Sequence, residues 1–269
     1  MDTPSIEQRR AAFRQLHASG CFVIPNPWDP GSARWLAQLG FKALATTSSG
    51  YAFSRGEADG AIALDEVLRY CREMVEATIL PVNADFEDGH AGDLEGLRAN
   101  VRRCVATGVA GLSIEDAGAR GMYDFDTAVA RIRAARKAID DTGEDVMLIG
   151  RADGIFHGQG DMGDITRRIA AFAEAGADCL YAPGVATAGQ VAAVVKAAAP
   201  KPVNVLLGPA AKLGFKALAG LGVRRISVGG ALALSAWAGF TKAVDGLVDQ
   251  RFDGFSSTVT HAELGKLFG

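Results

Sequence analysis

Eight apolar runs separated by helical stretches predict a (β/α)8 barrel, the TIM-barrel architecture, for this chain of 269 residues. Two further observations support that class. A Gly-Ala or Gly-Val turn recurs ahead of strands at Gly108-Val109, Gly176-Ala177 and Gly222-Val223, the rhythm of consecutive βα units. The first run ends in prolines, Pro25 and Pro27, where a doubly wound nucleotide-binding sheet would carry Gly-x-Gly-x-x-Gly. One domain over 1–269 is expected, with an N-terminal helix within 1–20 and a C-terminal tail over 252–269.

The opening helix is charged, with Ile6, Phe13 and Leu16 at helical spacing. Strand one is Phe22–Ile24, and a helix from Pro30 to Leu39 closes at Gly40. Strand two, Ala43–Thr47, runs into Ser48-Ser49-Gly50-Tyr51 and a loop carrying Arg55, Glu57 and Asp59. The long helix after Asp65 has the apolar stripe Val67, Leu68, Cys71, Met74 and Val75. Strand three is Ile79–Ala84, and strand four is Gly111–Ile114 with a glycine-containing loop after it. Strand five is Val146–Ile149, strand six Cys179–Tyr181, strand seven Val203–Leu207 and strand eight Arg225–Val228. Helix seven is expected over Lys212–Ala219, and a long final helix passes through Trp237 and Val244. Leu264 and Leu267 give the tail helical spacing, which predicts packing on a neighbouring subunit or on the barrel floor.

Hydrophobic residues make up 49% of the chain, enough for a large core, and 28 basic against 31 acidic residues leave a net charge of -3. No basic tract or aromatic–arginine stripe is present, which argues against nucleic acid as a partner. The four cysteines are scattered in apolar surroundings and read as reduced thiols. The N-terminus lacks the apolar core and cleavage site of a signal peptide, and no apolar run reaches the ~20 residues that span a bilayer. A cytoplasmic protein, without membrane association, is the expectation.

In a barrel of this kind the C-terminal strand ends face one pocket. The exits bring together Asn26, Trp28 and Asp29; Ser48, Ser49 and Gly50; Asp85 and Glu87; Glu115 and Asp116; and Arg151 and Asp153. Acids at the end of a buried strand need a reason, and a hard cation such as Mg2+, held by one or two carboxylates and water, supplies one. Arg151 offers a two-pronged donor to a carboxylate, and the Ser49-Gly50-Tyr51 backbone can form an anion nest. Together these suit a small 2-oxo or dicarboxylic acid and its enolate. The structural readings stand beside the functional ones. Glu115 and Asp116 also suit a helix cap, Arg151 a structural ion pair, and Asn204 a hydrogen-bonded core layer. His90 and His157 read as loop histidines, and Asp161 and Asp164 as helix-start residues.

These stretches carry a resemblance. Asn26–Ala33, Thr47-Ser48-Ser49-Gly50, Pro81–Asp85, Ile114-Glu115-Asp116, Ile149–Asp153 and Leu221–Ser227 are together similar to the isocitrate lyase / phosphoenolpyruvate mutase superfamily. The resemblance implies Mg2+, with Mn2+ as a substitute, and enolpyruvate-type chemistry beside a 2-oxo acid carboxylate. It implies metal binding by Asp85, Glu87 and Glu115, and a catalytic set of Asp59, Arg151 and Glu115. The substrate set is Trp28, Ser48, Ser49, Gly50, Tyr51, Arg151 and Asn204. It further implies a homo-oligomer, dimer or tetramer, in which the C-terminal helix is exchanged. Two departures stand out. Asn83 replaces the first acid of the family's Asp-x-Asp, and the segment 117–123 lacks the Cys-Gly-His loop of isocitrate and methylisocitrate lyases. A Mg2+-dependent lyase acting through an enolate, with C–C cleavage favoured, is therefore expected. A phosphonomutase or phosphonopyruvate hydrolase is the first alternative, and a non-catalytic binding barrel the second.

Overall fold

A computed structural model describes residues 3–208, 211–252, 255 and 259–269. Eight parallel strands form the central sheet: β1 Phe22–Ile24, β2 Leu44–Ala45, β3 Val82–Asp85, β4 Gly111–Glu115, β5 Met147–Arg151, β6 Cys179–Tyr181, β7 Val203–Leu206 and β8 Arg225–Ser227. β1 pairs with β8 and the rest pair in sequence order from β2 to β8. The Ala45 N–H donates to the Pro25 carbonyl at 3.0 Å, which closes the sheet between β1 and β2. Asn26 then fastens that seam. Its Nδ2 donates to the Thr46 carbonyl at 2.9 Å, and its Oδ1 accepts from the N–H groups of Val228 and Gly229 at 3.0 and 2.9 Å. The barrel is the expected (β/α)8 form.

The helices are α1 Ile6–Ala18, α2 Pro30–Gln38, α3 Ser48–Ser54, α4 Leu64–Ala77, α5 Leu94–Val105, α6 Phe125–Asp140, α7 Met162–Glu174, α8 Ala188–Ala198, α9 Phe215–Gly220, α10 Ala231–Val248 and α11 His261–Phe268. Their apolar faces pack on the outer side of the strands in one continuous core, with Leu68, Met74, Val101, Ile132, Ile169 and Val194 among its members. A second cluster fills the lower barrel and includes Phe13 of α1 beside Ile24, Ala45, Met147, Ile149 and Cys179. Gly111 makes room for this plug, because a Cβ there would stand 2.8 Å from the Phe13 ring. Arg10 holds α1 against the floor through the Val109 and Val105 carbonyls at 3.1 and 3.0 Å.

Several boundaries differ from expectation. β3 begins at Val82 rather than Ile79, because Pro81 has no N–H for the ladder and Ile79 is 57% exposed. β4 and β5 run on to Glu115 and Arg151, whose backbones are register partners, so both charged residues belong to strands rather than loops. The stretch after β2 is not an open nest but the first turn of α3, capped by the Thr47 side chain on the Gly50 N–H. Helix α9 starts at Phe215, later than Lys212, and residues 209–210 lie outside the described residues. The tail helix α11 does not cover the floor. It lies against the start of α2, with Phe268 beside Gly31, and α1 occupies the floor instead.

Candidate active site

The strand ends open into a cavity of about 740 Å3 that reaches from the rim at Asp59 and Arg120 down to Asn83 and Arg225. Arg151 of β5 is its centre. Nη1 meets Asp85 Oδ1 at 2.8 Å and Glu115 Oε1 at 2.6 Å, and Nη2 meets Asp153 Oδ1 at 2.9 Å. The guanidinium lies over the Tyr181 ring, 4.8 Å from its centroid. Burial by itself would lower the pKa of Arg151, but Asp153, Glu115 and Asp85 more than reverse that and keep it charged. Sequence reading held a carboxylate fork and a structural ion pair side by side at this position; the structure shows the guanidinium gripped by acids from β3, β4 and the β5 exit.

Each acid is fixed by a different device. Asp85 Oδ2 accepts the Ser48 N–H at 3.1 Å, and its own N–H donates to Thr46 Oγ1 at 2.7 Å. Asp153 is fully buried, and its N–H donates to Asp116 Oδ1 at 2.7 Å. Asp116 is no helix cap, contrary to the structural reading; it pairs with Arg168 of α7 at 3.2 Å. Asp161 does cap α7, as expected of it. Glu87 sits in a left-handed backbone conformation, with φ at 47°, in the tight turn that leaves β3.

One guanidinium does not neutralise this group of acids. Burial, then the charges of Asp85, Asp59 and Asp88, push the Glu87 carboxyl up to about 7. Burial also holds Glu115 well above the usual carboxylate range despite its contact with Arg151. Among the described residues no three His, Cys, Asp or Glu side chains are grouped so as to hold a metal ion by themselves. The donor chemistry nevertheless fits Mg2+. Asp85, Glu87 and Glu115 are hard oxygen donors in a negative pocket, and this ion takes one or two carboxylates and keeps water for the rest. Asn83 is not part of that set, since its Oδ1 accepts from Arg225 Nη1 at 3.3 Å.

The expected substrate residues divide into two groups. Ser48, Ser49 and Arg151 line the cavity, as does Asp59 of the expected catalytic set, whereas Trp28, Gly50, Tyr51 and Asn204 do not. Gly50 serves close packing: a Cβ there would stand 2.6 Å from Thr47 Cγ2 and 3.2 Å from Trp28 Cβ. Tyr51 stacks on Tyr70 at 4.0 Å between centroids. Asn204 is buried and hydrogen-bonded to Ser227 and Arg225. Asp29, also an exit residue, caps α2 through the Ser32 N–H.

Sequence reasoning saw a short loop over 117–123 but not its strand pairing or its support. Residues Ala117–Gly118 and Gly121–Met122 pair as a short antiparallel ribbon over one side of the cavity. Tyr123 after it donates to Asp88 Oδ2 at 2.7 Å, and Arg131 of α6 lies 4.4 Å from the centroid of the Tyr123 ring. Gly118 fits only without a side chain, since a Cβ would meet Asp88 Oδ2 at 2.5 Å and the Tyr123 hydroxyl at 2.6 Å.

This arrangement has counterparts. The family model described as phosphoenolpyruvate phosphomutase matches residues 13–248. The chain belongs to the phosphoenolpyruvate mutase/isocitrate lyase superfamily. A solved structure of a candidate lyase/mutase from Burkholderia cenocepacia J2315 superposes with a TM-score of 0.94 at 41% identity, covering 98% of this chain and 97% of that one. A solved oxaloacetate acetylhydrolase with bound oxalate gives a TM-score of 0.87 at 26% identity over 99% and 95%. Among curated relatives, an oxaloacetate decarboxylase of Rhodopseudomonas palustris (strain BisB5) is 30% identical over 252 residues, 90% of this chain and 85% of the relative. The phosphoenolpyruvate mutase/isocitrate lyase superfamily is one of enzymes, comprising lyases, mutases and hydrolases, and this chain is one of its members.

Proposed function

We propose that the protein is a Mg2+-dependent lyase that cleaves a C–C bond of a small 2-oxo or dicarboxylic acid through an enolate. One observation supports this above the rest: Asp85, Glu115 and Asp153 converge on a single buried guanidinium inside a cavity. Buried charges gathered this way cost stability unless they are used. Asp85, Glu87 and Glu115 are the residues that would hold the ion, and Mn2+ would substitute for it. When bound, such an ion acts as a Lewis acid toward the 2-oxo group.

Arg151, whose Nη1 is held by Asp85 and Glu115 while its Nε has no partner among the described residues, binds the substrate carboxylate and stabilises the negative charge that develops as the C–C bond breaks. Ser48 and Ser49, on the capped turn of α3, hold the same carboxylate from the other side. Trp28, Gly50, Tyr51 and Asn204 act one layer behind, keeping that turn and the barrel wall in place. Asp59, exposed on the rim loop, carries the proton to or from the reacting carbon. Glu115, with its raised proton affinity, is the second acid–base candidate.

A phosphonate reaction requires several cations around a migrating phosphoryl group. The segment 117–123 offers Arg120 alone, which favours carbon chemistry. The test is a turnover screen of oxaloacetate, malate-type 2-hydroxy diacids, phosphonopyruvate and phosphoenolpyruvate, each with Mg2+, with Mn2+ and with chelator. Metal-dependent cleavage of a 2-oxo or 2-hydroxy diacid supports the reading; turnover of the phosphonate alone, or none at all, overturns it.

The protein is further read as a cytoplasmic homo-oligomer, a dimer or tetramer. Leu234, Trp237 and Phe240 of α10, with Phe252, Leu264 and Phe268 of the tail, leave a large apolar surface exposed. A second copy of the chain is its proposed cover. No described helix is long and apolar enough to cross a membrane.

A further inference from the structure

The interior of a (β/α)8 barrel is ordinarily packed with branched apolar side chains. Here one row of register partners is polar over five strands: Glu115, Arg151, Tyr181, Asn204 and Arg225 are successive Cα partners from β4 to β8. The row joins the mouth, where Arg151 sits, to the inner end of the cavity, where Arg225 sits. Arg225 is only 3% exposed, and among the described residues it forms no ion pair. Its hydrogen-bond partners are two neutral amides, with Tyr181, Asp85 and Arg151 close enough to act on its charge. Nε donates to Asn204 Oδ1 at 2.9 Å, and Nη1 donates to Asn83 Oδ1 at 3.3 Å.

Those amides are themselves locked. Asn204 Nδ2 donates to Ser227 Oγ at 2.9 Å, and Asn83 Nδ2 donates to the Ala84 carbonyl at 3.0 Å. Each therefore turns its oxygen toward the guanidinium and fixes its plane, while leaving its charge uncompensated. Nη2 makes no hydrogen bond to a described residue. A buried cation held by neutral groups is costly unless an anion completes it. Asp85, the nearest acid of β3 on the same side of the strand as Asn83, is already committed to Arg151 and the Ser48 N–H.

We propose that Arg225 is a substrate-binding residue that takes the second carboxylate of a diacid at the inner end of the cavity, with Asn83 and Asn204 as its positioning residues. The inference rests on the reading of Arg151 as the clamp for the first carboxylate and names the substrate class more narrowly: a 2-oxo or 2-hydroxy acid with anionic groups at both ends. Asn83 acquires a purpose in the same stroke. An acid there would pair with Arg225 and block the inner site.

The test compares matched ligands that differ only in the far group: 2-oxobutyrate with oxaloacetate, and 2-oxovalerate with 2-oxoglutarate. Affinities are measured by calorimetry with Mg2+ present, on wild type, Arg225→Met and Asn204→Asp. Arg225→Met removes the charge and keeps the length. Asn204→Asp is close to isosteric and supplies an internal counter-ion, so it tests the idea even where Arg225→Met does not fold. Wild type is expected to prefer at least one diacid over its partner by tenfold or more. Both variants should lose that preference while holding the monoacids within about threefold, a spread typical of measurement and small repacking. Wild type binding monoacids and diacids equally, or variants that keep the diacid preference, would overturn the role of Arg225 and leave the Arg151 reading intact. Binding of no 2-oxo acid by wild type would overturn both.

Discussion

Asn83 decides more of this site than its size suggests. In the related pattern an acid stands at this position, and the sequence alone leaves open what an amide does there. The structure gives the answer in physical terms: the amide oxygen accepts from Arg225, so an acid would form a buried ion pair instead of a metal site. Asn83→Asp is therefore expected to leave Mg2+ affinity within about twofold of wild type. Asp85→Asn should weaken it tenfold or more, about 1.4 kcal/mol, by removing one of the carboxylates. Calorimetric titration of both variants with Mg2+ checks this pair, and equal binding by wild type and Asp85→Asn would place the ion elsewhere. The charged residues at strand exits, Asp85, Glu115, Arg151 and Asp153, were legible in the sequence because acids and arginines interrupt otherwise apolar runs. Arg225 was not, and for Asn204 the sequence left a substrate role and a hydrogen-bonded core layer side by side. They lie within or at the start of their runs, and their role depends on which residues the register sets beside them.

At the scale of elements, what the sequence showed least was the short and the context-bound. α3 is seven residues long and begins Ser-Ser-Gly, a stretch of poor intrinsic propensity that Thr47 caps and the packing against Trp28 and Ala233 completes. The periodicity of α1 was legible, but its position under the barrel was not, since a 3.6-residue pattern does not name the surface it covers. That position has a consequence for acid stability. His17 is buried, its Nδ1 lies 2.8 Å from the Phe13 carbonyl, and its Nε2 has no partner among the described residues. Burial, then the charge of Arg225, lowers its pKa from 6.5 to about 3. The unfolded chain thus binds a proton that the folded chain refuses, and stability contributed above pH 6.5 is lost progressively as pH falls toward 3. At pH 5 the loss is about 2 kcal/mol, from 1.36 kcal/mol per pH unit below the unfolded pKa. Urea unfolding at pH 7.5 and pH 5 is expected to show that drop, and His17→Gln should show clearly less of it. An equal drop in both would assign the acid sensitivity to other groups.

For the whole molecule, eight alternating runs were enough to read the barrel, because each βα unit repeats the same local pattern. Closure of the seam by Pro25, Asn26 and Ala45 could not be read, since it depends on which strands meet. The proposed association state rests on the exposed apolar residues of α10 and the tail. Sedimentation velocity is expected to give a dimer or tetramer for wild type, and a paired change of Trp237→Asp and Phe240→Asp should shift it to smaller species. A monomeric wild type would remove the proposed cover for that face. The chemistry also belongs to the whole molecule, since the three acids that meet Arg151 come from β3, β4 and the exit of β5. Lysine at this position keeps the charge but cannot reach all three acids and a substrate carboxylate in one plane. The measurement that tests the carboxylate clamp most directly is kcat/KM of Arg151→Lys on the preferred diacid with Mg2+, with Tm taken on the same preparation. A ten- to thousandfold loss, about 1.4–4 kcal/mol, in a protein that still unfolds cooperatively is the expected result. Unchanged kcat/KM with a lowered Tm would contradict it and leave Arg151 a structural counter-ion.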